Sequence, residues 1–190
     1  MRLGTLGPDS SNHGLIARRY LRRHAPRRGQ CVYFEAFDHA FDALLAGEIT
    51  HLLQCSAHAS HAECVGRTMH RTFPVDAFIA GSHPLALVMR RDAVDTSRIA
   101  LQAATRHYTD LSDFTTVVEM PTTAAVAQAL LEGRETAGIC AEQAAEQAPE
   151  TLRVVRALGP ALDTWIVYAT TPLTPEAPLW LNDEDGHHAQ

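Results

Sequence analysis

The sequence predicts an α/β protein on a mainly parallel sheet. Three observations carry that reading. Short β-branched and aromatic runs alternate with amphipathic helical runs along the chain. Gly, Pro and hydroxyl residues punctuate the changeovers. The chain has 190 residues, 46% of them hydrophobic and 20% charged, which is ordinary for a folded domain with a sizeable core.

The elements follow in order. Arg2 to Leu6 reads as a short strand, and Gly7-Pro8 turns the chain into a helix ending near His24. Ile16, Tyr20 and Leu21 recur at helical spacing on that helix, leaving the arginines largely on the other side. A loop with Pro26 and Gly29 precedes the strand CVYFEAF. The helix DHAFDALLAGE has Asp38 as its expected cap and Gly47 as its stop. ITHLLQC is the third strand, and β-α-β-α-β order results. Residues Ser56 to Arg71 fit no regular element. VDAFIAG and LALVMRR read as two strands joined through Ser82, His83 and Pro84. RIALQA is a further strand, ATRHYTDLSDF a short helix and loop, and TTVVEM a strand. The helix AAVAQALLEG, the strand TAGIC, the helix AEQAAEQA and the strands LRVVRAL and TWIVYAT complete the pattern. The proline-bearing tail from Thr170 on ends in NDEDGHHAQ, which is expected to be disordered.

Charge narrows the function. All 16 basic residues are arginine, against a net charge of −6. Without lysine there is no Schiff-base chemistry, no lysine-bound pyridoxal phosphate and no phosphate-loop lysine. An anionic ligand must be held by arginine, hydroxyls or backbone N–H groups. Arg18, Arg19, Arg22, Arg23, Arg27 and Arg28 cluster, but no aromatic interleaving or recognition motif accompanies them, so a solvated helix face is expected and no nucleic-acid partner. No run of about 18 apolar residues and no secretory stretch is present, so no membrane partner and a cytoplasmic location are expected. The scattered Cys31, Cys55, Cys64 and Cys140 suit reduced thiols.

Two strand-to-helix junctions stand out. Ser10, Ser11 and Asn12 open the first helix, and Thr122 and Thr123 open a helix in the second half. Both are ordinary N-caps on one reading and anion seats on the other. His13, in the first loop, is a candidate proton carrier because imidazole titrates near neutral pH. Arg90 follows a strand and could counter a carboxylate. Cys55, His58, His61 and Cys64 are the right types for zinc, but their uniform spacing is unlike the separated dyads of structural sites. A His-rich loop bordering a cleft is expected there, with no metal.

TLGPDSSNHGLIARRYL resembles the opening of prephenate dehydratase catalytic domains and of the prephenate decarboxylases of the bacilysin-pathway type. FDHAFDALLAGEITHLLQC, PLALVMR and MPTTAAVAQALLEGRETAGICAEQAAE continue the likeness, which covers roughly Arg2 to Thr170. It implies two lobes like those of type 2 periplasmic binding proteins, with the ligand between them. Lobe 1 would span residues 1–78, lobe 2 residues 79–158, and residues 159–172 would return to lobe 1 ahead of the 173–190 tail. It also implies a small dianionic substrate, no cofactor and a homodimer.

The departures point within the family. Dehydratases carry a Glu-Asn-Ser motif after the third strand. Here that stretch is QCSAHASHAECVG, with Ser56 the stand-in and no Glu-Asn pair. DTWIVYAT sits where dehydratases carry Thr-Arg-Phe, so Thr164 takes the catalytic threonine's place with a hydrogen-bonding role, and Trp165 replaces the arginine. No regulatory ACT domain fits in the remaining residues. The resemblance therefore implies a lyase acting on prephenate or a close analogue by non-aromatising decarboxylation. A dehydratase lacking that domain and a non-catalytic small-anion-binding domain of the same fold are the alternatives.

Overall fold

A computed structural model describes residues 1–95, 97–174, 176–177 and 179. The chain end NDEDGHHAQ lies outside these residues. Eight strands form one sheet in the order β2-β1-β3-β8-β4-β7-β5-β6. β1 (Arg2–Leu6) lies between β2 (Gln30–Phe34) and β3 (His51–Cys55), all parallel. At the other end β5 (Arg98–Leu101) lies between β6 (Thr116–Glu119) and β7 (Ala137–Ala141), again all parallel. The two parallel groups are joined by β4 (Phe73–Arg90) and β8 (Leu152–Ala169), which pair antiparallel with each other. β3 pairs with one of these strands and β7 with the other.

These long strands correct the reading of four separate ones. VDAFIAG and LALVMRR are parts of β4, and LRVVRAL and TWIVYAT are parts of β8. Ser82, His83 and Pro84 do interrupt the pairing, but only as a register shift between Gly81 and Pro84. The Ser82 hydroxyl accepts from the Ala161 N–H and donates to the His83 carbonyl, so the two strands stay tied across the irregularity.

Strand alternation gives each end of the sheet two covered faces. Leu3 and Leu53 pack with Ile16, Ala17, Tyr20 and Leu21 of α1 (Asn12–His24). Leu6 and Leu52 face the other way, against Phe37, Phe41 and Leu44 of α2 (Phe37–Leu45). The segment Ser56 to Arg71 contains α3 (His61–Thr68), an element the sequence did not reveal. In the second half, α4 (Thr123–Leu131) and α5 (Gln143–Gln147) cover Ala86, Val88, Ala100 and Cys140.

Helix ends follow local chemistry. Ser11 caps α1, its hydroxyl accepting from the Gly14 N–H, and Thr122 caps α4 in the same way through the Ala125 N–H. Asp38 does not cap α2. The cap position is Ala36, and Asp38 sits in the first turn, where its carboxylate accepts from the His39 N–H. Gly47 and Gly133 follow α2 and α4 with φ of +74°, the left-handed stop that glycine adopts without steric cost. Arg22, Arg23, Arg27 and Arg28 are exposed, as expected of a solvated face. No helix among the described residues is long and apolar enough to cross a membrane.

Gly14 fixes how closely α1 sits on the turn before it. A Cβ there would lie 2.1 Å from the Asp9 carbonyl oxygen, a backbone atom that cannot swing aside. Gly14→Ala therefore forces a shift of the turn or the helix, and a loss of roughly 1–3 kcal/mol is expected in chemical denaturation. Gly66 in α3 has open space around its Cβ position. Gly66→Ala should instead stabilise by roughly 0.5–1 kcal/mol, and the opposite signs check the packing directly.

Candidate functional site

The N-termini of α1 and α4 reach the same cleft, at the turns that follow β1 and β6. Ser11, Asn12 and His13 line one side, Thr122 and Thr123 another. First-turn N–H groups lack helical partners and stand at the positive end of the helix dipole, so two such ends share this space. Asn12 is locked in place, its side-chain oxygen accepting from the His83 N–H at 3.0 Å. That bond ties the start of α1 to the irregularity in β4. The inner cavity, about 100 Å³, shares Leu6, His58, Gln102, Pro121 and Thr122 with an adjoining one of about 470 Å³. The first alone falls below the roughly 300 Å³ at which ligand pockets begin, whereas the joined space suits a small ring compound.

The walls are aromatic. His13 lies 5.0 Å from Trp165, 5.3 Å from Phe37 and 5.9 Å from His58, ring centre to ring centre and edge to face. Its Nε2 is shut off from solvent and has no hydrogen-bond partner among the described residues. Burial pushes the His13 pKa down to about 3, with the neighbouring His58 adding to the effect, so the ring is neutral at neutral pH. As a proton carrier it would enter the reaction as a base or a neutral hydrogen-bonding group. Trp165 is 1% exposed and its indole N–H donates to the Ala80 carbonyl. Cys55 also lines the cleft, but burial lifts its thiol to about 11, which leaves it protonated.

Four expected residues fall outside the cleft. Thr164 is exposed on the opposite face of β8, opposite Ile79, because strand alternation sends Asp163 and Trp165 inward and Thr164 outward. The inward place before Trp165 belongs to Asp163. The signal was present in the period of two: once Trp165 is taken as core, its inward neighbour is two residues away. Arg90 lies at the far end of β4, clamped to Asp92 and the Leu130 carbonyl. Ser10 is exposed and does not line the cleft. Ser56 spends its backbone N–H on the Thr164 carbonyl, and its side chain does not line the cleft either. Tyr108, Gln102 and Thr105, also unflagged, complete the wall from the second half.

Asp163 is half-buried, and burial raises its pKa. The same charge helps to raise the pKa of Tyr108 and of Cys55, after burial in each case. Among the described residues no group of three or more His, Cys, Asp or Glu side chains is arranged to hold a metal. Cys55 and Cys64 face opposite sides of the sheet, in different cores, and His61 bonds the Tyr168 hydroxyl instead.

No protein-family model matches the sequence, and no curated protein matches it. Solved structures do share its fold. The prephenate dehydratase of Arthrobacter aurescens, solved in complex with L-Phe, superposes with a TM-score of 0.66 at 19% identity over 93% of this chain. This is a two-lobed, periplasmic-binding-protein-like α/β fold. The chain spans 62% of that dehydratase's length. A periplasmic VFT2 domain of Bordetella pertussis BvgS matches with a TM-score of 0.54 at 13% identity, covering 90% of this chain and 80% of that one. An ABC transporter from Parabacteroides distasonis matches at 0.55 and 16%, covering 89% and 65%.

Two outcomes check the site. A histidine held neutral in the fold opposes folding as pH falls. Its contribution is fully present above about 6.5 and is lost progressively as pH falls toward 3, by at most about 1.4 kcal/mol per pH unit. His13→Gln should therefore lose less stability than the parent between pH 7 and pH 5 in urea titrations. Ser11→Ala removes the cap of α1 and should cost roughly 0.5–2 kcal/mol in the same measurement.

Proposed function

We propose that this chain is a lyase acting on prephenate or a close analogue, and that it decarboxylates without making the ring aromatic, in the manner of the bacilysin-pathway enzymes. The observation that carries the proposal is the convergence of the α1 and α4 N-termini on one aromatic-walled cleft, in a chain without lysine. Two positive helix ends suit two carboxylates.

In this reading the first-turn N–H groups beside Ser11, Asn12, Thr122 and Thr123 hold the substrate's carboxylates. Ser11 and Thr122 act chiefly by shaping the helix ends, since their hydroxyls are engaged as caps. Trp165 packs against the ring, and His13 offers a neutral ring nitrogen in place of a charge. The bond between the ring carbon and its carboxylate breaks, CO₂ leaves, and the electron pair passes through the diene. A proton on the far carbon completes the step, and the ring hydroxyl stays. Fixed dipoles and positioning supply the catalysis, with no cofactor invoked. In a dehydratase the same pair would expel the hydroxyl. The missing Glu-Asn pair after β3 and the outward Thr164 favour retention of the hydroxyl.

The binding-domain alternative draws on one observation of its own: the BvgS and transporter structures share the fold at TM-scores not far below the enzyme's. One assay separates the readings. Incubated with the pure protein, prephenate should disappear without the alkaline absorbance of phenylpyruvate. Stoichiometric phenylpyruvate would make the chain a dehydratase, and undiminished prephenate would leave it a binding domain.

A further inference from the structure

We propose that the cleft is built for a carboxylate ligand that also carries a protonated amine, and that Asp163 is the partner of that amine. The proposal rests on the prephenate-type reading for the ligand's scaffold and adds the group that distinguishes one member of that class from another.

Asp163 lines the cleft from β8, the strand that also supplies Trp165. Among the described residues it has no ion-pair partner and accepts no hydrogen bond. All the salt bridges of the described residues lie elsewhere, as in Arg90–Asp92 and Arg98–Glu135. Among the described residues no arginine lines the inner cavity where Asp163 sits. Arg67 borders the adjoining one but is held by the Asp42 carboxylate and the Asp38 carbonyl, and the chain has no lysine. A half-buried carboxylate without a counter-ion carries a desolvation cost in the free protein. Nothing in the described fold offsets it, so a ligand cation is the natural complement.

The surroundings fit that cation. Tyr108 stands close enough for the Asp163 charge to act on its hydroxyl, and Trp165 is on the same side of the strand. Ring faces attract ammonium groups, and a charge-assisted hydrogen bond to the carboxylate would add direction. The opposite requirement is met by the helix ends at Asn12 and Thr123, which favour the ligand's carboxylates. The cleft therefore carries positive potential at the helix ends and negative potential at Asp163. A simple dianion satisfies one and is repelled by the other, whereas an amine-bearing carboxylate satisfies both. His13, with its unpartnered Nε2, supplies no competing charge.

Affinity measurements on the full chain test this with two probes, prephenate and its analogue with an amine in place of the ring hydroxyl, each read as the KM from initial rates where the probe is consumed and by calorimetric titration where it is not. The parent should bind the amine analogue at least about tenfold more tightly than prephenate. Asp163→Asn should bring the two affinities within about threefold of each other, mostly by weakening the analogue. Asp163→Ser, read the same way, serves if the Asn variant does not melt cooperatively, and the parent's own preference decides if neither variant folds. Equal or tighter binding of prephenate by the parent would overturn the inference while leaving the prephenate reading intact. So would a preference for the amine that survives the substitutions. Failure to bind either probe would overturn both.

Discussion

The pairing of β4 with β8 is the constraint on which everything else in this molecule depends. Each strand runs 18 residues, and each carries one parallel group of the sheet on its outer edge. Neither group is complete without it: β3 has β8 as its outer neighbour, and β7 has β4. Because the ribbon is continuous, the register that seats Trp165 opposite Phe78 also fixes where Leu85 and Gly159 meet. The cleft lies beside the middle of this ribbon, and its position follows from the register.

The helices then need no special pleading to meet. Each follows a strand of its own parallel group, and each turns back over the sheet from the carboxyl end of that strand, where open α/β sheets bind ligands. The result concentrates dipole ends without concentrating charged side chains. A lysine-free chain with most of its described arginines engaged or exposed can still present a strongly polar site, because the polarity belongs to the backbone. The neutral state of His13 belongs to the same design: burial against Phe37, His58 and Trp165 keeps its charge away from the helix ends.

Much of the fold was legible from the order and period of the apolar residues, because the short parallel strands and amphipathic helices obey them cleanly. The long strands were not, since Gly81-Ser82-His83-Pro84 and Gly159-Pro160 carry the usual marks of turns. In the structure Gly159 adopts φ of +76° and Ser82 bridges to Ala161, so those marks describe an irregularity within a ribbon. The helix His61–Thr68 was not legible because His61, Glu63, Gly66 and Arg67 leave it only a narrow apolar face. The two helix starts that border the cleft were legible because caps and turns are local. The faces of Thr164 and Asp163 were not legible from a short motif, because they depend on the register of β8 against β4, which turns Asp163 toward the cleft and Thr164 away from it. Arg90 was placed by its nearness to a strand end, whereas Asp92, two residues away, claims it.

The register shift between Gly81 and Pro84 has a mechanical meaning. Were the halves of this protein joined by single-chain linkers, they could swing like doors on pins, with little force returning them. Here both crossings are paired strands, tied by Ser82 to Ala161 and by His83 to Asn12. Separating the halves must flex the ribbon as a leaf spring flexes, most easily where its ladder is already broken. The bond from the His83 N–H to Asn12 seats the start of α1 at that break in the ladder.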